Sequence, residues 1–333
     1  MIEPNPDAIA RRTFRCELVA NTFGGILQAG FSTFALLLAI RAYGASEYEK
    51  AILVGSMSAG LLVAPWGLSL MRATRCSVNW LACGLMLFTG ICLLVVFATE
   101  SLAIYVAGLA VAQIAIAQQY TLRIHVHTNN YSVAERGRRL SWIFIVAGSS
   151  CIACSYGFGF FLDHRWDDRS WVFAVMALAA ILCGASLARI PTSPLPDDSQ
   201  VGLLASFRLI RGDRLFAIIL LGWMLLGFAW ISTAPLRIEY LSSKEGLNLT
   251  NSEIALLMAI PSLTEILFLR WFGGLFDRTN FVPFRITLNF FLIISVLLFF
   301  HAENLYTICF AAIFTGLAFG GSSIAWSLWV TRV

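Results

Sequence analysis

Long apolar runs separated by short polar segments dominate the chain. Ten runs are each about 20 residues long, the length that an α-helix needs to cross the hydrocarbon layer of a membrane. Apolar residues are continuous within the runs instead of alternating with polar ones, which excludes the strands of a membrane barrel. The pattern predicts membrane-spanning helices at residues 18–42, 50–71, 79–98, 101–121, 140–162, 170–189, 215–235, 252–273, 283–300 and 305–327.

The composition supports this interpretation. Hydrophobic residues make up 59% of the 333 residues and charged residues 13%, whereas soluble domains average about 45–50% and about 25%. A soluble chain of this length could not bury so much apolar surface, so lipid is the expected solvent for much of it. Nearly all of the eight cysteines lie within apolar runs, which argues against a disulfide framework.

The positions of Lys and Arg predict how the helices are oriented. If the N-terminus is cytoplasmic, most of the 23 Lys and Arg residues fall in cytoplasmic segments, as in other membrane proteins. Arg41, Lys50 and Arg237 are among the few that this orientation assigns to outer loops. We therefore expect a multi-pass protein of the inner membrane with a cytoplasmic N-terminus.

The longest polar stretch, residues 190–213, contains three prolines and then a basic segment. It predicts a cytoplasmic linker between an N-terminal bundle of six helices, residues 1–189, and a C-terminal bundle of four helices, residues 214–333. The basic segment lies along anionic lipid headgroups or forms a solvated loop, and both interpretations stay open.

An internal repeat relates the two predicted bundles. A shift of 206 residues places the second predicted helix on the eighth, and both helices begin with a capping box, Ser46…Glu49 and Thr250…Glu253. A repeat at about half the chain length is typical of transporters with two related halves; coincidence is the alternative. The shift aligns Ser46 with Ser252, Glu47 with Glu253, Ser56 with Ser262, Gly67 with Gly273 and Arg72 with Arg278.

The segment from Gly273 to Arg278 reads Gly-Gly-Leu-Phe-Asp-Arg and resembles the loop motif of the major facilitator superfamily. In that family the motif lies between helices two and three and again between helices eight and nine. The first copy here, Gly67 to Arg72, has Met71 where the family has aspartate. The resemblance implies an all-α polytopic membrane protein of two pseudo-symmetric helical bundles with about ten transmembrane helices. The second bundle would be incomplete, because the usual form has twelve.

Two interpretations of this motif stay open. Gly67 and Gly273 would let helix ends approach closely, Asp277 would hold a partner helix by a charge-assisted hydrogen bond, and Arg72 and Arg278 would face headgroups or a helix C-terminus. The motif would then close the cytoplasmic side in one state of a transport cycle. Alternatively, Asp277 and Arg278 only cap and end the eighth helix.

Polar residues within the predicted spans are the candidates for a substrate or coupling site. Glu265 is the only acidic residue deep in a predicted span, and a charge at that depth usually serves function because it is costly in lipid. It would carry a coupling proton or contact a substrate, or it would be a protonated acid that bonds a neighbouring helix. The other candidates are Asn21, Gln28, Gln113 and Trp223, for which helix packing is the alternative.

The resemblance implies a secondary active transporter that moves a small solute by alternating access, with or without coupled protons. The alternative is a non-transporting membrane sensor or an inactive truncated carrier. His125 and His127 have no neighbouring cysteine pair, and no phosphate-binding loop or hydrolase motif is found, so no metal, cofactor or enzymatic activity is expected. The expected partners are a small-molecule substrate and the lipid bilayer, without nucleic acid, and the expected state is a monomer.

Overall fold

A computed structural model describes residues 6–195, 212, 214–244, 246–302 and 304–328. Each predicted span corresponds to one helix in the described residues. The first helix contains one π-helical turn, Gly30–Phe34. The helices are α1 (Pro6–Tyr43), α2 (Glu47–Ala73), α3 (Val78–Phe97), α4 (Leu102–Asn130), α5 (Val133–His164), α6 (Trp171–Leu187), α7 (Arg214–Ser242), α8 (Asn251–Arg278), α9 (Phe281–Phe300) and α10 (Leu305–Leu328).

The helices have the lengths that a membrane protein needs. Within the described residues, nine helices are long and apolar enough to cross a membrane. The shorter apolar helix α6 has 17 residues, which is at the lower end of the range that spans a bilayer, about 17–25 residues. The chain is therefore a multi-pass membrane protein, as its hydropathy predicts.

The predicted capping boxes are present at the starts of α2 and α8. The backbone N–H of Ser46 donates to the Glu49 carboxylate at 2.7 Å, and the N–H of Thr250 donates to the Glu253 carboxylate at 2.8 Å. These bonds satisfy backbone donors that a helix start otherwise leaves without a partner. Both helices therefore begin at the predicted positions, and for the same local reason.

Several helices extend beyond the apolar runs that predict them. α1 begins at Pro6 instead of residue 18, and α7 continues to Ser242 instead of 235. The added turns carry polar side chains that bond neighbouring parts of the fold, and hydropathy alone does not detect such turns. The assignment of Arg41, Lys50 and Arg237 to outer loops is wrong, because all three lie within helices. Arg237 lies in an added turn of α7, whereas Arg41 and Lys50 lie at the ends of the predicted runs 18–42 and 50–71.

Helix packing repeats between the two parts of the chain. Among α1–α6, α1 packs against α5 and α6, α2 against α4, and α3 against α4 and α6. Among α7–α10, both α8 and α9 pack against α10. The pairs α2–α4 and α3–α4 correspond under the internal repeat to α8–α10 and α9–α10. We call α1–α6 the N-terminal bundle and α7–α10 the C-terminal bundle.

The two bundles meet mainly along α5 and α8. Gly159 of α5 permits the closest approach, because a Cβ atom at that position would lie 2.8 Å from the carbonyl oxygen of Asn251 and from the Cα of Ser252. Helix α7 lies against α2 and the last residues of α1 at one end of the molecule. We call this the outer end, after the predicted orientation, and the opposite end the inner end.

The predicted linker is described only at its start. Residues 190–195 are described, and Ser193 accepts a backbone hydrogen bond from Val78 at 3.3 Å. The Asn79 side chain also donates to the Ala188 carbonyl at 2.7 Å. These bonds fix the end of the N-terminal bundle to the start of α3. Residues 196–211 and 213, which include the basic segment, lie outside the described residues.

Candidate transport site

A cavity of about 420 Å³ lies in the C-terminal bundle. Its volume falls within the range of small-molecule sites, about 300–1,000 Å³. The lining side chains lie in the middle or the inner half of their helices, and most of them are aromatic or aliphatic. The cavity is lined by Phe144 of α5, Trp223, Leu226, Gly227 and Trp230 of α7, Arg285, Leu288, Asn289 and Leu292 of α9, and Ala318, Phe319 and Ser322 of α10.

Arg285 is the single charged residue among the described residues that line this cavity. Its guanidinium lies over the Trp223 ring at 5.3 Å and donates to the Ser322 hydroxyl at 2.9 Å. The Nε–H of Arg285 is buried, and among the described residues it has no hydrogen-bond partner. The cavity therefore combines an aromatic wall with a cation whose hydrogen-bonding capacity is only partly used.

A second arginine lies behind the cavity wall. Arg237 of α7 is only 6% exposed, and its guanidinium lies 4.8 Å from the ring of Trp230, which lines the cavity. It contacts the Phe299 ring on another side at 5.2 Å and donates to the Thr315 hydroxyl at 3.4 Å. Two of its nitrogens, Nε and Nη2, are buried and have no hydrogen-bond partner within the part of the chain that the structure describes. A buried cation with so few partners is costly, so its position requires an explanation.

At the outer end, the bundles are joined by an acidic residue that caps a helix. The carboxylate of Asp163, at the end of α5, accepts hydrogen bonds from the backbone N–H groups of Asn251 and Ser252 at 2.8 and 2.9 Å, and from the Ser252 hydroxyl. Both N–H groups belong to the first turn of α8. An acidic group there satisfies free backbone donors and interacts favourably with the helix dipole.

Two cations reinforce the same contact between the bundles. Arg41 of α1 donates to the Asn251 side chain at 2.6 Å and to the Leu249 carbonyl at 2.5 Å. Lys50 of α2 is buried and pairs with Glu239 of α7 at 2.7 Å. We call these contacts the outer cluster, which consists of Arg41, Lys50, Asp163, Glu239, Leu249, Asn251 and Ser252.

A buried polar cluster lies at the inner end of the N-terminal bundle. The Glu17 carboxylate is 1% exposed; it bonds His127 at 2.6 Å and accepts a hydrogen bond from the Tyr131 hydroxyl. Arg123 donates to the Asn21 side chain at 2.5 Å. Burial, together with the adjacent Glu17 carboxylate, raises the pKa of Tyr131, which lies between α4 and α5. The cluster joins α1 to α4.

The structure distributes the five predicted site residues over different places. Trp223 lines the 420 Å³ cavity. Asn21 is buried in the inner polar cluster, and the Gln113 amide donates to the Leu53 carbonyl of α2 at 2.9 Å. Gln28 is exposed, and Glu265 is half-buried in the middle of α8. They do not form one set, and their roles in transport stay predictions.

The predicted loop motif is described in part. Gly67 packs against the side chain of Gln118 so closely that a Cβ atom would collide with it, as expected for a glycine at a close helix approach. Gly273 and Arg278 lie in the last turns of α8, where Arg278 is exposed, and Arg72 is half-buried in the last turn of α2. The side chain of Asp277 lies outside the described residues, so the two interpretations of this residue stay open.

Sequence reasoning missed Arg285, Arg237 and the outer cluster. Arg237 lies two residues beyond the predicted span 215–235, and Arg285 lies at the start of the span 283–300, so both count with the charges near the loops. One signal was present: Trp223, Trp230 and Arg237 are each seven residues apart, so they share one face of α7. The partners in the outer cluster come from distant parts of the chain, and no local pattern indicates them.

Comparison with known proteins agrees with this architecture. The family model described as Major Facilitator Superfamily matches residues 18–333. No curated protein sequence matches the chain.

Solved transporters share the fold. A mutant of the nucleoside transporter NupG is 12% identical, with a TM-score of 0.77, over 98% of this chain and 83% of that one. The xylose transporter XylE from E. coli, in a partially occluded inward-open conformation, is 14% identical, with a TM-score of 0.61, over 97% and 87%. A bacterial homologue of the lysosomal transporter Spinster, inward-facing and unoccupied, is 13% identical, with a TM-score of 0.62, over 97% and 75%. At these identities the likeness concerns the fold.

Proposed function

Because the chain belongs to the Major Facilitator Superfamily, we propose that it moves a small solute across the membrane by alternating access through the 420 Å³ cavity. The two bundles would tilt against each other and expose the cavity to one side at a time. The proposed moving units are the N-terminal bundle, residues 1–189, and the C-terminal bundle, residues 214–333, connected by the linker 190–213. The proposal includes the inner membrane as location, a cytoplasmic N-terminus and a monomeric state.

The observation that carries this proposal is the uneven distribution of contacts between the bundles. At the outer end, Asp163, Arg41 and Lys50 each bond the opposite bundle. The cavity, in contrast, is lined by residues from the middle and inner half of the helices. A molecule that is tied at one end and contains a cavity toward the other has the arrangement of an inward-facing carrier.

Transport by purified protein in liposomes tests the proposal. We expect saturable uptake of at least one solute from a panel of sugars, organic acids, amino acids and nucleosides. A disulfide that joins the bundles at the outer end, introduced at Asp163 and Ser252, whose side chains are in contact, should abolish uptake, and reduction should restore it. Uptake that is unaffected by the closed disulfide would contradict alternating access. A folded protein that binds a solute but never moves it would favour the sensor alternative.

Proton coupling through Glu265 is a second part of the proposal. Glu265 lies in the middle of α8, where its Cα would be 3.4 Å from a Cβ atom at Gly320 of α10. This position lets a change at the carboxyl group alter the α8–α10 contact. Glu265→Gln should remove the dependence of uptake on an imposed pH gradient while counterflow exchange continues. If uptake by the unchanged protein and by Glu265→Gln responds equally to the pH gradient, Glu265 does not carry the proton.

A further inference from the structure

We infer that the 420 Å³ cavity takes an organic anion with an aromatic body, whose carboxylate or phosphate group pairs with Arg285. The inference rests on the proposed function, because it names the class of solute for the same site. Three observations support the inference: the positive charge of the cavity lining, the aromatic side chains of the cavity wall and the buried arginines.

The described lining of the cavity carries a positive charge. Among its described lining residues Arg285 is charged, Asn289 and Ser322 are polar and uncharged, and the rest are apolar. The Ser322 hydroxyl that accepts from Arg285 carries no negative charge. Guanidinium groups in weakly polar surroundings favour an anionic partner, because a charge that is removed from water without one is costly. A carboxylate or phosphate oxygen in the cavity would provide that partner for the guanidinium.

The wall of the cavity defines the rest of the solute. Phe144, Trp223, Trp230 and Phe319 supply four aromatic side chains, and Trp230 and Phe319 meet edge to face at 4.7 Å. Aromatic walls favour planar apolar groups and add a preference for edge-to-face geometry. A solute that presents an anion to Arg285 and a ring to these side chains would satisfy both parts of the lining.

Arg237 strengthens the preference for an anion. It lies directly behind Trp230, is 6% exposed and has two buried nitrogens that find no hydrogen-bond partner among the described residues. Its charge therefore acts on the cavity through a ring and not through water, so it is weakly screened. Trp223, Trp230 and Arg237 share one face of α7 because each is seven residues from the next. Helix α7 therefore carries two tryptophan rings and a positive charge on the same face.

Binding of matched solutes tests the inference. The full chain is placed in nanodiscs of phosphatidylcholine and titrated with trios of one skeleton that differ only in charge, such as 3-phenylpropanoate, 3-phenylpropanamide and 3-phenylpropylamine, and their indolyl and naphthyl analogues. We expect at least one anion to raise the unfolding midpoint and to bind at least tenfold more tightly than its amide and its amine. If none of the anions binds, or if amides or amines bind as well, the inference is wrong.

Substitutions at Arg285 test whether this residue causes the preference for an anion. R285Q should remove the preference for the anion, and R285K should retain part of it. The matched control is R270Q, which removes an exposed arginine from α8 that does not line the cavity; it should bind like the unchanged protein. Because the trios are compared first in the unchanged protein, a variant that fails to fold leaves the test intact. An anion preference that survives in folded R285Q would overturn the assignment.

A lipid headgroup offers the same anionic chemistry and is tested separately. If phosphatidylglycerol stabilises the unchanged protein but not R285Q, while no solute trio shows a preference, the cavity binds lipid and the inference is wrong. Liposome uptake separates the inference from the proposed function. If an anion binds through Arg285 but is not transported, the anion site is supported and the proposed transport is refuted. Uptake of neutral or cationic solutes without a preference for anions supports transport and refutes the anion site.

Discussion

Removing the charge of Asp163 should open the outer end of the molecule. Its carboxylate accepts three hydrogen bonds from the first turn of α8, two of them from backbone N–H groups of Asn251 and Ser252. Because Asp163 belongs to α5 and its partners to the other bundle, these bonds are lost when the bundles separate there. The substitution D163N keeps the size of the side chain but removes its charge and one acceptor oxygen.

The size of the effect follows from the geometry of the contact. Asparagine keeps one acceptor oxygen, so D163N loses about one hydrogen bond, about 0.5–1.5 kcal/mol, and the interaction of the charge with the helix dipole, about 0.3–1 kcal/mol. Asp163 is exposed, so solvent screens the interaction, and we expect a net loss of about 1–2 kcal/mol for the outer-closed state. This loss corresponds to a shift of about 5- to 30-fold in the equilibrium between outer-closed and outer-open forms.

Distance distributions between spin labels measure this equilibrium. Labels on non-natural amino acids at Glu100 and Lys244, both exposed at the outer end, leave the native cysteines in place. D163N should increase the population with a long distance between them. D168N is the matched control, because Asp168 is a half-exposed acid at the same end that pairs with Arg165 in its own bundle at 3.6 Å. Equal shifts in D163N and D168N, or none in either, would refute the reasoning.

Three further predictions use the same structure. The variant R41Q should shift the label distances in the same direction as D163N, because Arg41 also bonds the opposite bundle. Gly159→Leu should lower stability by about 1–3 kcal/mol or separate the bundles in a thermal unfolding assay, whereas Gly157→Leu, which has open space at its Cβ position, should have little effect. Tyr131→Phe should destabilise the protein by about 1–3 kcal/mol, because Glu17 loses a buried donor. Since burial and Glu17 raise the folded-state pKa of Tyr131, this difference should be constant between about pH 8 and pH 10 and should shrink as the pH rises further; unfolding midpoints of both proteins across this range measure it.

The features that the sequence predicts well are those that depend on neighbouring residues. Continuous apolar runs predict all ten helices because each run satisfies its backbone within one segment. The capping boxes predict where α2 and α8 begin, since their partners are three residues apart. The family resemblance also depends on a short segment, Gly273 to Arg278, and the family is confirmed over residues 18–333.

The features that the sequence predicts poorly depend on contacts between distant residues. Hydropathy counts Arg285 and Arg237 against a membrane position, and the folded chain accommodates them against the rings of Trp223 and Trp230. Glu17 lies near the polar start of α1, and its burial depends on residues of α4 that are more than 100 positions away. Polar residues at the ends of spans are therefore candidates for buried contacts, as are those at the centres of spans.

The position of the outer cluster sets the leverage of any tilt between the bundles. Helix α8 has 28 residues, which corresponds to a length of about 42 Å. With Asp163 holding its first turn, each degree of rotation would displace its far end by about 0.7 Å, as the sine of the angle times that length. About four degrees would then move the inner end by the diameter of a water molecule, about 2.8 Å. While the outer cluster holds the first turn of α8, a small rotation therefore produces a large displacement at the inner end of the helix and almost none at its outer end.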